Sequence, residues 1–99
     1  MPNIQATMTS VLKIQAQNTK TWNNVFMMPN AHFMSLANDK KGIKAIISVE
    51  ANQMVRVEMQ GRNKRGKPIS RKFTVTPYEN VVNRTIGRLL QIIASDTTR

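Results

Sequence analysis

The sequence predicts an α+β fold: a three-stranded antiparallel sheet packed on a C-terminal amphipathic helix, with a short N-terminal helix and room for extra strands upstream. Residues 53–62 alternate almost without fault, Val55, Val57 and Met59 on one side against Arg56, Glu58, Gln60 and Arg62 on the other. That is the period-two signature of a strand with one buried face. Beyond Thr76 the apolar residues recur at helical spacing instead. A length of 99 residues and a hydrophobic fraction of 40% suit one domain with one core, spanning 1–99.

Taken in order, residues 1–28 read as an N-terminal extension or extra strands. Leu12, Ile14 and Ala16 alternate as in a strand, and Trp22, Val25 and Phe26 suit a second one. Residues 29–41 predict a short helix, with Phe33, Leu36 and Ala37 as its buried edge and Gly42 as its stop. Residues 43–76 predict the three-stranded meander, with strands over 44–51, 53–62 and 69–76. The connection at Ala51-Asn52 is short enough for a hairpin, and Asn63 to Pro68 holds the turn residues Gly66 and Pro68. Residues 77–95 predict the helix: Thr76 can cap, Pro77 suits the first helical position and Glu79 completes a capping box. Tyr78, Val81, Val82, Ile86, Leu89, Leu90, Ile92 and Ile93 fall on its apolar half, and Asn83, Arg84, Gly87, Arg88 and Gln91 on the other.

Fifteen Lys and Arg stand against five Asp and Glu, a formal charge of +10. The excess is skewed, with +3 over residues 1–42 and +7 over residues 43–99. No apolar run approaches the ~18 residues of a spanning helix, and the opening Met1-Pro2-Asn3-Ile4-Gln5 lacks the basic-then-apolar pattern of a signal peptide. The expectation is a cytoplasmic protein, in the bacterial cytoplasm or nucleoid, with no membrane partner. Without cysteine there is no disulfide and no thiolate for a nucleophile or a metal.

Enzymatic chemistry finds little material. The carboxylates Asp39, Glu50, Glu58, Glu79 and Asp96 form no recognisable pair, and His32 is the single histidine, so neither a histidine metal cluster nor a triad is expected. No cofactor is expected either. Gly61-Arg62-Asn63-Lys64-Arg65-Gly66-Lys67 has the spacing of a phosphate-binding loop, but Pro68 follows where Ser or Thr should stand, and a strand follows where a helix should. The seven methionines read as core gap-fillers.

The same stretch is informative for its charge. Arg62, Lys64, Arg65, Lys67, Arg71 and Lys72 place six cations within eleven residues with no acid among them. Arg56 and Gln60 share the polar side of the central strand with Arg62, and Lys44, Lys72, Ser48, Ser70 and Thr74 extend that side onto its neighbours. Such a surface could be only a solubilising hairpin tip or a guarded sheet edge. The unbalanced charge elsewhere favours a polyanion, because each cation meeting a phosphate releases a condensed counterion. Arg and Gln on a strand can also pair with guanine and adenine edges in a major groove. With five aromatics, of which Phe33, Phe73 and Tyr78 read as core and only Trp22 and Phe26 stand apart, duplex DNA is favoured over single strands.

Gly42-Ile43 at the sheet entry, Val55-Arg56-Val57, Lys72-Phe73-Thr74 and the helix opened by Thr76 give this order of elements a family likeness. From Gly42 to Ala94 it resembles the Apetala-type (ethylene-response-factor) DNA-binding domain and the arm-binding domains of phage and transposon integrases. The resemblance implies a sheet seated in the major groove, with Lys44, Arg56, Gln60, Arg62 and Lys72 in contact. The strand tryptophans of that family are missing, and Asn83, Thr85 and Gly87 stand where its helix carries alanines.

Two other readings belong to the same composition. A small phage- or mobile-element-type effector that binds an acidic host protein, inhibiting or recruiting it, would need the same charge. An RNA-binding module would too, since α-β-β-β-α order is shared by double-stranded-RNA-binding domains. Those carry bases at the start of the last helix, where this chain has Thr76-Pro77-Tyr78-Glu79. A homodimer, through an edge strand or residues 1–28, stays open.

Overall fold

The computed structural model describes the backbone of residues 3–98 and the side chains of residues 3–95. Residues 1 and 2 and the Asp96 side chain, which enter the readings above, lie outside these. Helix α1 (Ile4–Gln17) opens where the Asn3 side chain accepts the Ala6 N–H at 3.1 Å, an ordinary N-cap. Its buried residues are Thr7, Met8, Val11 and Gln15, which share one helical side. The expected strand through Leu12, Ile14 and Ala16 is therefore corrected to helix. Their alternation marks no face, since Ile14 and Ala16 are exposed and Leu12 is half-buried.

Strand β1 (Asn24–Met27) supplies one of the extra strands the sequence left room for. Strand β2 (Phe33–Asn38) replaces the short helix expected over 29–41. Burial there alternates, with Met34, Leu36 and Asn38 inside and Phe33, Ser35 and Ala37 half-buried. Pro29 serves a β-turn, closed by the Ala31 N–H on the Met28 carbonyl at 2.9 Å, where proline's fixed φ suits the second position. Gly42, at φ 67°, turns the chain from β2 into β3 and stops no helix. His32 lies in the β1–β2 connection, exposed, its N–H on Asn30 Oδ1.

Strands β3 (Ile43–Val49), β4 (Val55–Arg62) and β5 (Pro68–Val75) fall where the meander was expected. All five strands form one antiparallel sheet in chain order. Three of its turns share one geometry: the fourth residue's N–H returns to the first residue's carbonyl, at Met28–Ala31, Glu50–Gln53 and Asn63–Gly66. In each the fourth residue is left-handed, with φ of 58° at Ala31, 65° at Gln53 and 79° at Gly66.

Helix α2 (Glu79–Thr98) begins two residues later than the capping box implied. Val82 N–H donates to the Tyr78 carbonyl, so Tyr78 holds the cap position and Glu79 the first turn, where its charge suits the helix dipole. Val82, Ile86, Leu89 and Ile93 are buried; Tyr78, expected on the apolar half, is 52% exposed.

Both helices lie on one face of the sheet, α2 over β4 and β5 and α1 over β1 and β2. Between them runs a single core that includes Met8, Met34, Leu36, Ile47, Val57 and Met59. Met8, Met34 and Met59 thus fill core positions, as expected, and Met27 packs against that core, but Met28 is exposed instead. Gly61 lets α2 close down on β4, since a Cβ there would stand 2.9 Å from Ile93 Cγ2. A hydrogen-bonded chain ties the elements: Trp22 Nε1 donates to Gln15 Oε1 at 2.9 Å, and Gln15 Nε2 donates to Asn83 Oδ1 at 2.9 Å.

Candidate nucleic-acid interface

With both helices on one side, the other face of the sheet carries side chains that no element among the described residues covers. Strand register sets them in rows. One row runs Phe26, Ser35, Ile46, Glu58, Lys72 from β1 to β5. Beside it run Asn24, Ala37, Lys44, Gln60, Ser70 and, from β2 onward, Phe33, Ser48, Arg56, Thr74. The rows change character across the sheet. Over β1 to β3 they set Phe26, Phe33, Ala37 and Ile46 among the polar Asn24, Ser35, Lys44 and Ser48, whereas over β4 and β5 every member is charged or polar.

Glu58 organises the charged side. Arg56 Nη2 donates to its Oε1 at 3.1 Å, while Gln60 Nε2 and Ser70 Oγ donate to Oε2 at 3.1 and 3.2 Å. The Gln60 hydrogen bond leads in holding the carboxyl below its ordinary value, with Ser70, Arg56 and Lys72 adding to it and burial opposing. Glu58 is therefore ionised at neutral pH, and two of the expected contact residues, Arg56 and Gln60, are already committed to it. Arg56 Nε is buried without an acceptor.

The β4–β5 hairpin carries the other cations. Asn63 builds its tip: the side-chain Oδ1 accepts the N–H groups of Arg65 at 2.9 Å and Lys67 at 3.0 Å, and its carbonyl accepts that of Gly66. This is the local side-chain bonding that asparagine favours in turns. Arg62 Nη1 braces the loop from below, donating to the Gly66 carbonyl at 2.8 Å. Lys64, Arg65 and Lys67 stand exposed on a tip whose backbone is held in place. The phosphate-loop spacing found at Gly61–Lys67 lies on this hairpin. Its amides are engaged by Asn63, and β5 follows instead of a helix.

Each expected residue now has a position. Lys44, Arg56, Gln60, Arg62 and Lys72 share the open face, and Lys64, Arg65 and Lys67 extend it at the tip. Lys44, Gln60, Arg62 and Ser70 also line a depression of about 430 Å³ at the hairpin end of that face. Arg71 does not join them. It pairs with Met59 in register and so stands on the helix-covered side, its Nη1 donating to the Ser70 carbonyl.

Among the aromatics the expectations change. Trp22 is buried, while Phe33, expected in the core, is half-buried on the open face. Phe73 lies at the margin of the helix side beneath the Arg88 guanidinium, 5.4 Å from its ring centre, a cation–π distance. The apolar set Phe26, Met28, Phe33 and Ile46 was not assembled from sequence, because reading β2 as a helix took Phe33 off the sheet. Compared with protein-family models, curated proteins and solved structures, the chain shows no significant match to any.

Proposed function

We propose that the chain is a non-catalytic nucleic-acid-binding protein that grips the phosphate backbone with the β4–β5 hairpin and the basic end of the open sheet face. The observation that carries the reading is the Asn63-built tip, which presents Lys64, Arg65 and Lys67 on fixed backbone beside Arg62, Lys44 and Lys72. Five or six phosphate contacts make binding steeply salt-dependent through counterion release. Arg56 and Gln60 are engaged by Glu58, so neither is offered for base reading, and the phosphate contacts fall to the hairpin cations with Lys44 and Lys72. The Apetala-type likeness would cover β3 to β5 and α2, and it points to the same face.

The test is binding of the full chain to labelled duplex DNA, single-stranded DNA and duplex RNA over about 50 to 200 mM salt, the range where phosphate contacts dominate. The expected result is a steep loss of affinity with salt, with the slope reduced by about one for Lys64→Ala and for Arg65→Ala. Flat, weak binding to all three polymers would overturn the proposal and direct the charge to an acidic protein partner.

A further inference from the structure

Resting on that nucleic-acid reading, we infer that the open face takes a single strand, with unpaired bases stacked on Phe26 and its neighbour Phe33 and the backbone led toward Lys44 and Lys72. The starting point is an exposed aromatic. Phe26 is 52% exposed in the middle of a strand whose outer edge pairs with nothing in the sheet. Single exposed apolar residues need no explanation. This one is not single. Phe26 faces Ser35 across the strands, and the Met28 N–H on the Phe33 carbonyl brings Phe33 to the diagonal position, where long side chains on one face meet. Ile46 continues the patch onto β3, and exposed Met28 rims it.

Apolar side chains grouped around Ser35 and reaching an uncharged edge strand invite aggregation. The opposite edge, β5, carries Pro68, Arg71 and Lys72, the usual guards, and β1 (Asn24-Val25-Phe26-Met27) carries none. The patch therefore calls for a ligand that offers flat apolar surface, while the adjoining half of the same face calls for negative charge. From Phe26 to Lys72 the row crosses four strand spacings, roughly 19 Å at about 4.8 Å each, so one extended ligand spans both halves. A duplex hides the faces of its bases within the stack, and its outer phosphates would be desolvated against Phe26 and Ile46 without a partner. An unpaired strand exposes base faces and phosphates together, and aromatic platforms beside cationic grooves are how single strands are held. The duplex preference drawn from composition rested on the scarcity of stacking aromatics, and two of them occupy this face.

The experiment is fluorescence anisotropy with the full chain on labelled 12-nucleotide oligo(dT), oligo(U) and a 12-base-pair DNA duplex at one fixed salt. Tighter binding to a single strand than to the duplex is expected. Phe26→Leu, which keeps apolar area but removes the ring, should weaken single-strand binding roughly 5- to 150-fold, the range for one stacked base, and leave duplex binding unchanged. Phe26→Trp should restore it, and its emission should be quenched by stacked bases, which the buried Trp22 cannot reach. Circular dichroism on each variant checks the fold. If Phe26→Leu binds single strands as well as the parent, or the duplex wins, the stacking inference falls while hairpin-dependent binding still supports the broader reading. If no polymer binds, both fall.

Discussion

Arg56 and Glu58 stand two residues apart on the open side of β4, with the guanidinium Nη2 donating to the carboxylate at 3.1 Å. The alternation that puts Val55, Val57 and Met59 into the core forces both onto the same face. Gln60 and Ser70 complete the shell around the carboxylate. Among the described strand residues of this face Glu58 is the one acid; it is neutralised locally, and it arranges the residues around it. Of the same strand residues Lys44, Arg62 and Lys72 add positive charge, and Lys64, Arg65 and Lys67 extend it at the hairpin.

Glu58 should make stability pH-dependent on the acid side. Its carboxyl titrates below the ordinary value near 4.5 in the folded chain, first because of the Gln60 hydrogen bond, so the unfolded chain binds its proton at higher pH. The stabilisation is fully present above the unfolded value and is lost as pH falls through the lowered folded one. Glu58→Gln should flatten that acid limb in urea titrations across roughly pH 3 to 7, the carboxylate range and above. At neutral pH the variant should lose no more than about 1 kcal/mol, because Arg56 is 39% exposed and solvent screens such pairs. An acid limb unchanged by the substitution would sink the assignment.

Gln15 should matter more than its amide suggests. It is buried, and it accepts from Trp22 and donates to Asn83 at once. Gln15→Leu would leave the Trp22 indole N–H buried without an acceptor, a loss of about 1–3 kcal/mol. Trp22 is the sole tryptophan, so urea unfolding followed by its emission reads the effect directly. An unchanged midpoint would mean that the indole finds another acceptor.

Much of this architecture was legible in the sequence, and the failures have physical reasons. Strand β4 and the apolar side of α2 were readable because their faces differ sharply in polarity, Val57 against Glu58 or Leu89 against Arg88, and β3 from its Ile and Val content, although Ile46 and Ile47 fall on opposite faces. β2 was not, because Phe33, Met34, Leu36 and Ala37 put apolar residues on both faces and erase the period of two. α1 was obscured in the opposite way: polar Thr7 and Gln15 sit on its buried side, while apolar Ile14 lies outside. The basic candidates followed from the cluster of cations over residues 62–72, the alternation of β4 and the family likeness. The Phe26–Phe33 patch needed β2 to be a strand, and Arg71 needed the register against Met59.

Gly61 tests the seating of α2. A Cβ at this position would lie 2.9 Å from Ile93 Cγ2, a methyl on a branched carbon with little freedom to move. Gly61→Ala should therefore destabilise the fold by about 1–3 kcal/mol, as overpacking does, despite alanine's lower backbone entropy in the unfolded chain. Thermal unfolding would show it, and an unchanged or raised Tm would mean that the helix shifts freely over β4.

The three matching turns allow a comparison within one molecule. Gln53 and Ala31 adopt the left-handed conformation that Gly66 adopts in the third turn, and a side chain makes that conformation costly by roughly 1–2 kcal/mol. Gln53 is exposed, so Gln53→Gly relieves the strain with little packing to lose. Glycine's greater freedom when unfolded returns part of the gain, leaving a net stabilisation of about 1 kcal/mol or less. Ala31 has the same backbone but is only 1% exposed, so Ala31→Gly gives up buried contact and should gain less than Gln53→Gly. Gly66→Ala should lose about 1 kcal/mol by the reverse of the same argument. Urea midpoints of the three variants should rank Gln53→Gly above Ala31→Gly above Gly66→Ala, and a Gln53→Gly variant less stable than the parent would contradict the strain assigned to that turn.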